Sequence, residues 1–213
     1  MANIAQLASN ADLFKNKWLS DVLLEVHGKD GDVAEFPAHR TVLVTKSAYF
    51  KKMFQEEGFM EAEEKVVQLK EVDLKYFEMA LKWMYTEEED EDDREKDTLT
   101  EVLEDSILLH RVADFYIIPD LVQHCVDRFH HDATNYLDLD TRSEEFQDAL
   151  LAAADTYYEM NAEGDSKLGR CVVKLAQKAV WTQDRVGGLQ DMLKKHPLFA
   201  LDFALETTRQ NAV

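Results

Sequence analysis

Two cysteines, three prolines and seven glycines in 213 residues leave several classes of protein without their raw material. Cys125 and Cys171 belong to no CxxC pair and fall within apolar helical patterns, so they read as two reduced, buried thiols. A glycine-rich phosphate loop is missing: "GKDGD", the nearest candidate, lacks both the length and the following helix. No apolar stretch approaches the roughly 20 residues that span a bilayer. The opening residues MANIAQLASNADLFK lack the positive-then-apolar layout of a signal peptide, the first lysine being Lys15. An intracellular, reducing compartment is expected, nucleus or cytoplasm alike. Basic side chains are scarce as well. With 24 Lys and Arg against 43 Asp and Glu, the net charge is −19. Such a surface repels phosphate backbones and anionic lipid, which argues against direct nucleic-acid or membrane binding and favours a basic protein partner.

What is present is an ordinary supply of core. Hydrophobic residues make up 46% of the chain, enough for one large domain or two small ones. After a helical lead-in around Leu7 to Trp18, "SDVLLEV" (Ser20 to Val26) suits a strand, "HGKDGD" a turn and "VAEF" (Val33 to Phe36) a second strand, together a hairpin. Past Pro37 the period changes. Tyr49, Phe50, Met53 and Phe54 share one helical face, Lys51 and Lys52 point away, and Ser47 is a natural N-cap. "KVVQL" (Lys65 to Leu69) predicts a third strand. Asp73 caps a helix striped by Leu74, Phe77, Leu81 and Met84. Seven acidic residues follow, Glu87 to Asp93, and read as a solvated loop or as a docking site for a basic partner.

Only helical patterns come after that. Val102, Leu109, Ala113 and Tyr116 line one helix; Pro119 opens another with Leu121, Val122, Cys125, Val126 and Phe129. Thr141 and Glu144 have capping-box spacing ahead of Phe146, Leu150, Ala153 and Tyr157. Leu168, Cys171, Val172 and Leu175 make a further stripe, Gly187-Gly188 precedes a short helix, and Pro197 starts a last one with Leu198, Leu201 and Leu205. Strands mixed with helices, then helices alone, predict an α+β domain with an all-α extension. The expected division is a helical lead-in at 1–18, the mixed domain at 19–130 with an acidic loop at 87–97, and the extension at 131–213.

Taken in order, Ser20-Asp21-Val22, Phe36, Ala38-His39-Arg40, Leu43, Ser47, Tyr49-Phe50, Met53-Phe54, Glu61, Leu69, Asp73, Phe77, Leu81, Tyr85-Thr86, Ala113, Tyr116 and Leu121 closely resemble a BTB/POZ domain. The resemblance covers roughly residues 19 to 128, and it implies a small three-stranded sheet with helical hairpins. It makes His39 a structural residue at a helix start, and the aromatic pairs core. After "MYT" (Met84 to Thr86) the family usually has a glycine and another short strand; here the acidic run replaces both. The C-terminal "HPLFALDFALE" resembles small stand-alone fungal members, and the chain carries no zinc finger, kelch array or second recognition domain.

The resemblance implies a protein-protein interaction module, not an enzyme, with no cofactor or metal. Family members homodimerise through the N-terminal region and first helices, which makes Phe14, Trp18, Leu19, Asp21 and Arg40 candidates for the dimer interface; Phe14, Trp18 and Leu19 could equally pack on their own chain. Members that serve as substrate adaptors of a cullin-type E3 ubiquitin ligase carry a hydrophobic-x-Glu motif after the second core helix, and Phe59-Met60-Glu61 stands at the matching place. An exposed Phe59 would anchor in a pocket of the cullin, whereas a buried one would belong to the core. The alternative is a dimeric scaffold or transcriptional co-regulator without ligase function, since Asp21 and Arg40 also match a charged pocket of the repressor type. Partners are therefore a second copy, a cullin, and an unknown protein substrate or basic protein. His124, Cys125, His130 and His131 are the one cluster resembling metal ligands, and Cys125 belongs to the apolar stripe of its helix, so structural or surface histidines are expected.

Overall fold

The computed structural model describes residues 9–55, 64–88, 98–139, 143–161 and 164–211. Among them are three strands and nine α-helices: β1 (Val22–Gly28), β2 (Val33–Ala38), α1 (Arg40–Lys46), α2 (Ala48–Gln55), β3 (Val66–Val72), α3 (Leu74–Thr86), α4 (Leu99–Phe115), α5 (Pro119–Leu139), α6 (Glu144–Met160), α7 (Lys167–Lys178), α8 (Val186–Lys195) and α9 (Pro197–Gln210). The expected α+β class and three-stranded sheet are what the chain forms. Of the helical lead-in, the described part is one short 3-10 helix, Asn10–Leu13.

The sheet runs β2-β1-β3, with β1 antiparallel to β2 and parallel to β3. Val22, Leu24 and Val26 alternate into the core, and Leu24 lies between Phe36 and Val67 across the sheet. Pro37, which cannot donate to a ladder, sits in β2 at the sheet's edge. The turn between β1 and β2 uses Gly31 at φ 89°, a conformation that favours glycine. A parallel return to β3 needs a crossover, and the α1–α2 pair supplies it.

Two compact units share the chain: residues 1–93 with 109–123, and residues 94–108 with 124–213, so that α4 and α5 each contribute to both. The first holds the sheet and an aromatic core. There Tyr116 stacks on Phe50 with ring centroids 5.6 Å apart and meets Phe77 edge-on at 5.2 Å, while Phe77 in turn meets Phe36 at 5.7 Å. The second is helical, built on Leu99, Leu103, Phe129, Phe146, Tyr157, Leu168, Val172 and Phe199.

Helix ends follow local chemistry. Ser47 Oγ accepts from the Phe50 N–H at 3.1 Å and Asp73 from the Tyr76 N–H at 3.5 Å, as their positions predict. At α6 the capping side chain is Ser143, accepting from Phe146 N–H at 3.3 Å; Thr141, expected in that role, lies outside the described residues. Gly187 and Gly188 do not precede α8 but fall inside its first turn. The larger difference is in α9: of the expected Leu198, Leu201 and Leu205 stripe, Leu201 is 51% and Leu205 38% exposed, while Phe199, Asp202 and Glu206 face inward.

Candidate protein-interaction site

His39 holds the sheet domain together at its start. It is buried, and it stands at the N-cap of α1 without a side-chain capping bond. Its Nε2 donates to the Trp18 carbonyl at 2.9 Å, which leaves Nδ1 to accept from the Tyr85 hydroxyl at 3.0 Å. The same hydroxyl accepts from the His39 backbone N–H at 2.9 Å. Burial pushes the Tyr85 phenol up to about 12, so it remains a donor. One imidazole thus ties the N-terminal segment to α1 and α3.

The five interface candidates surround this tie. Phe14 is half-buried against Tyr85, ring centroids 5.8 Å apart, and Trp18 is half-buried beside His39. Leu19 is 65% exposed and takes φ 60°, a left-handed conformation that a branched side chain adopts at a cost. Asp21 accepts from the Arg40 backbone N–H at 2.8 Å, stabilising the first turn of α1. The Arg40 guanidinium lies over the Phe54 ring at 4.6 Å and donates to the Glu64 carbonyl. Phe59, Met60 and Glu61 lie outside the described residues, as do residues 89–97 of the acidic stretch.

A second surface was not signalled by periodicity. At the turn joining α4 to α5, Phe115 is 64% and Ile117 50% exposed. Ile117 takes φ 50°, which for a β-branched residue costs roughly 1–2 kcal/mol. The neighbours hold it there: Ile118 N–H bonds the Ala113 carbonyl at 2.8 Å, the Ile117 carbonyl accepts from Ala48 N–H at 3.1 Å, and Ser47 Oγ donates to the Tyr116 carbonyl at 2.5 Å. The start of α2 is thereby fastened to this turn. Tyr49 of α2 completes the patch, 5.7 Å from Phe115. A pair of apolar residues flanking a buried Tyr116 was the available signal, and it was masked because both also fit a helix end.

Cys125 and Cys171 are buried and not disulfide-bonded, and burial raises the Cys171 thiol to about 11. Of the histidine cluster on α5, His131 Nε2 is bonded to the Asn135 amide at 3.0 Å. One group brings three potential ligands within 4.8 Å of one another: Asp155, Glu159 and His196. The Lys195 ammonium already stands among them, 2.6 and 2.9 Å from the Asp155 oxygens and 2.7 Å from Glu159. Burial pushes the Asp155 carboxyl up, but hydrogen bonds from Lys195 and His196 outweigh it and hold the group below the usual carboxylate range. That is a salt-bridge cluster in which the ammonium occupies the space between the two carboxylates.

No helix among the described residues is long and apolar enough to cross a membrane. The profile of the BTB/POZ domain family matches residues 10–133, more than half of the chain. No curated protein matches the sequence. Among solved structures, the BTB domain of zebrafish PATZ1 is similar, at 26% identity over 51% of this chain and 73% of that one, with a TM-score of 0.37. The chain belongs to the BTB/POZ family, whose domains are protein-protein interaction modules that typically self-associate.

Proposed function

We propose that this protein is a homodimer that acts as a substrate adaptor of a cullin-type E3 ubiquitin ligase. The observation that carries the reading is the Tyr49, Phe115 and Ile117 patch. Phe115 and Ile117, large apolar side chains held in water beside the half-buried Tyr49, the second of them in a strained backbone conformation, are what a docking surface needs and what a monomer's own stability does not. The patch lies at the start of α2, and Phe59-Met60-Glu61 follows the end of that eight-residue helix in the sequence. Phe59 and Ile117 would then anchor one partner, with Glu61 pairing a basic group on it. The second copy would cover Leu19 together with Phe14, Trp18, Asp21 and Arg40, an interface that should bury over ~1,000 Å² to be stable. Residues 131–213 would present the substrate.

Sedimentation equilibrium at micromolar concentration tests the dimer. The wild type sediments as a dimer and Leu19→Asp as a monomer; a monomeric wild type contradicts the reading. Co-elution with the N-terminal domain of the third cullin on size exclusion tests the adaptor role. Its loss in Phe59→Ala supports the assignment, and absence of any complex with the wild type would leave a dimeric scaffold.

A further inference from the structure

The C-terminal part of the chain carries the opposite charge from the rest. Residues 164–211 hold eight basic and five acidic side chains, a net of +3, which leaves −22 for all the others. The excess is concentrated on α7. Lys167, Arg170, Lys174 and Lys178 recur at spacings of three and four on the face turned away from Leu168, Val172 and Leu175, and the helix has no acidic residue.

Beside this ridge lies α9, folded with its leucines outward. Asp202 points in, accepting from the Tyr158 hydroxyl at 2.9 Å and from the Asp165 N–H at 2.8 Å. Glu206 also points in, 3.7 Å from Lys174 Nζ and 3.6 Å from Arg209. Leu201 and Leu205, one helical turn apart, are left to solvent, with Leu198 half-buried next to them. Arg209 flanks the stripe, reaching both Asp165 oxygens at 2.9 and 3.0 Å. The apolar strip therefore lies beside Arg209, which shares the Asp165 carboxylate with Arg170 of the α7 row, 3.4 Å from it.

We propose that this face docks an acidic, leucine-bearing helix of another protein. A second copy packed face to face would set one α7 ridge against the other, so like charges would meet. The overall charge of −19 does not forbid an acidic partner, because charges beyond about 8 Å are screened at physiological ionic strength and the local cations decide. In the adaptor reading this is the substrate face, and only the word substrate rests on that reading; the docking itself needs no cullin.

Fluorescence anisotropy of the full chain with two labelled amphipathic helices tests it, one with leucine at heptad a and d positions and glutamate elsewhere, the other with lysine in place of glutamate. The glutamate probe binds at micromolar concentration, and binding weakens with added salt. The exposed pair Leu201→Ser/Leu205→Ser weakens it by about tenfold, with circular dichroism unchanged, and Lys174→Gln/Lys178→Gln weakens it and flattens the salt dependence. No binding of the glutamate probe, equal binding of the lysine probe, or indifference to the serine pair would overturn the proposal. So would wild-type self-association that the serine pair abolishes, since a second copy would then be the occupant. Because no cullin is present in this assay, its failure leaves the ligase reading standing, and the reverse also holds.

Discussion

At the scale of single residues, stability and exposure pull apart at recognisable places. The His39 imidazole satisfies two groups at once, so His39→Ala would leave the Tyr85 hydroxyl without its acceptor and the Trp18 carbonyl without its donor. A loss of about 2–3 kcal/mol in urea unfolding is expected. Ile117→Gly should do the opposite, keeping or raising stability by up to about 1 kcal/mol because the left-handed strain is relieved, while cullin affinity falls. Glu87, at the end of α3, also takes a left-handed conformation, φ 56°, where the family usually carries a glycine. Its carboxylate pairs with Lys46, which gives the substitution a compensating contact.

At the scale of elements, what could be read from the sequence was what a periodic pattern writes down. The β1–β2 hairpin, the Ser47 and Asp73 caps and the Pro119 and Pro197 helix starts all follow from local rules, and the structure has them. The α9 stripe was legible as a stripe, but not which way it faces. Periodicity fixes which residues share a face, whereas the direction of that face depends on partners for Asp202 and Glu206 supplied by Tyr158, Asp165, Lys174 and Arg209. Ile117 was illegible for a related reason, since its conformation is imposed by bonds from Ala48 and Ile118. Caps give a direct test: Ser166 Oγ accepts from Gly169 N–H at 2.9 Å and bonds the Tyr157 hydroxyl, so Ser166→Ala should cost about 1–2 kcal/mol by chemical denaturation. The Cys171 thiol gives another. Its folded value, about 11, lies above the ordinary 9.0, so its contribution is intact below pH 9 and is lost as pH rises towards 11. Cys171→Val should remove that slope from a stability-versus-pH curve, and the native wild type should resist Ellman's reagent at pH 8 until it is unfolded.

At the scale of the whole molecule, the account is of a BTB/POZ protein, from a family of protein-protein interaction modules. The net charge of −19 acts against compactness through self-repulsion, so moderate salt should raise the melting temperature while weakening any contact made through the α7 cations. The central claim is that the α2 end of the sheet domain docks a cullin. The measurement that tests it most directly is calorimetric titration of the N-terminal domain of the third cullin into wild type, Phe59→Ala and Ile117→Gly. Micromolar or tighter binding by the wild type, lost in Phe59→Ala and weakened in Ile117→Gly with the fold intact, is the result expected. No heat of binding from the wild type at high concentration, or equal binding by all three proteins, would contradict it.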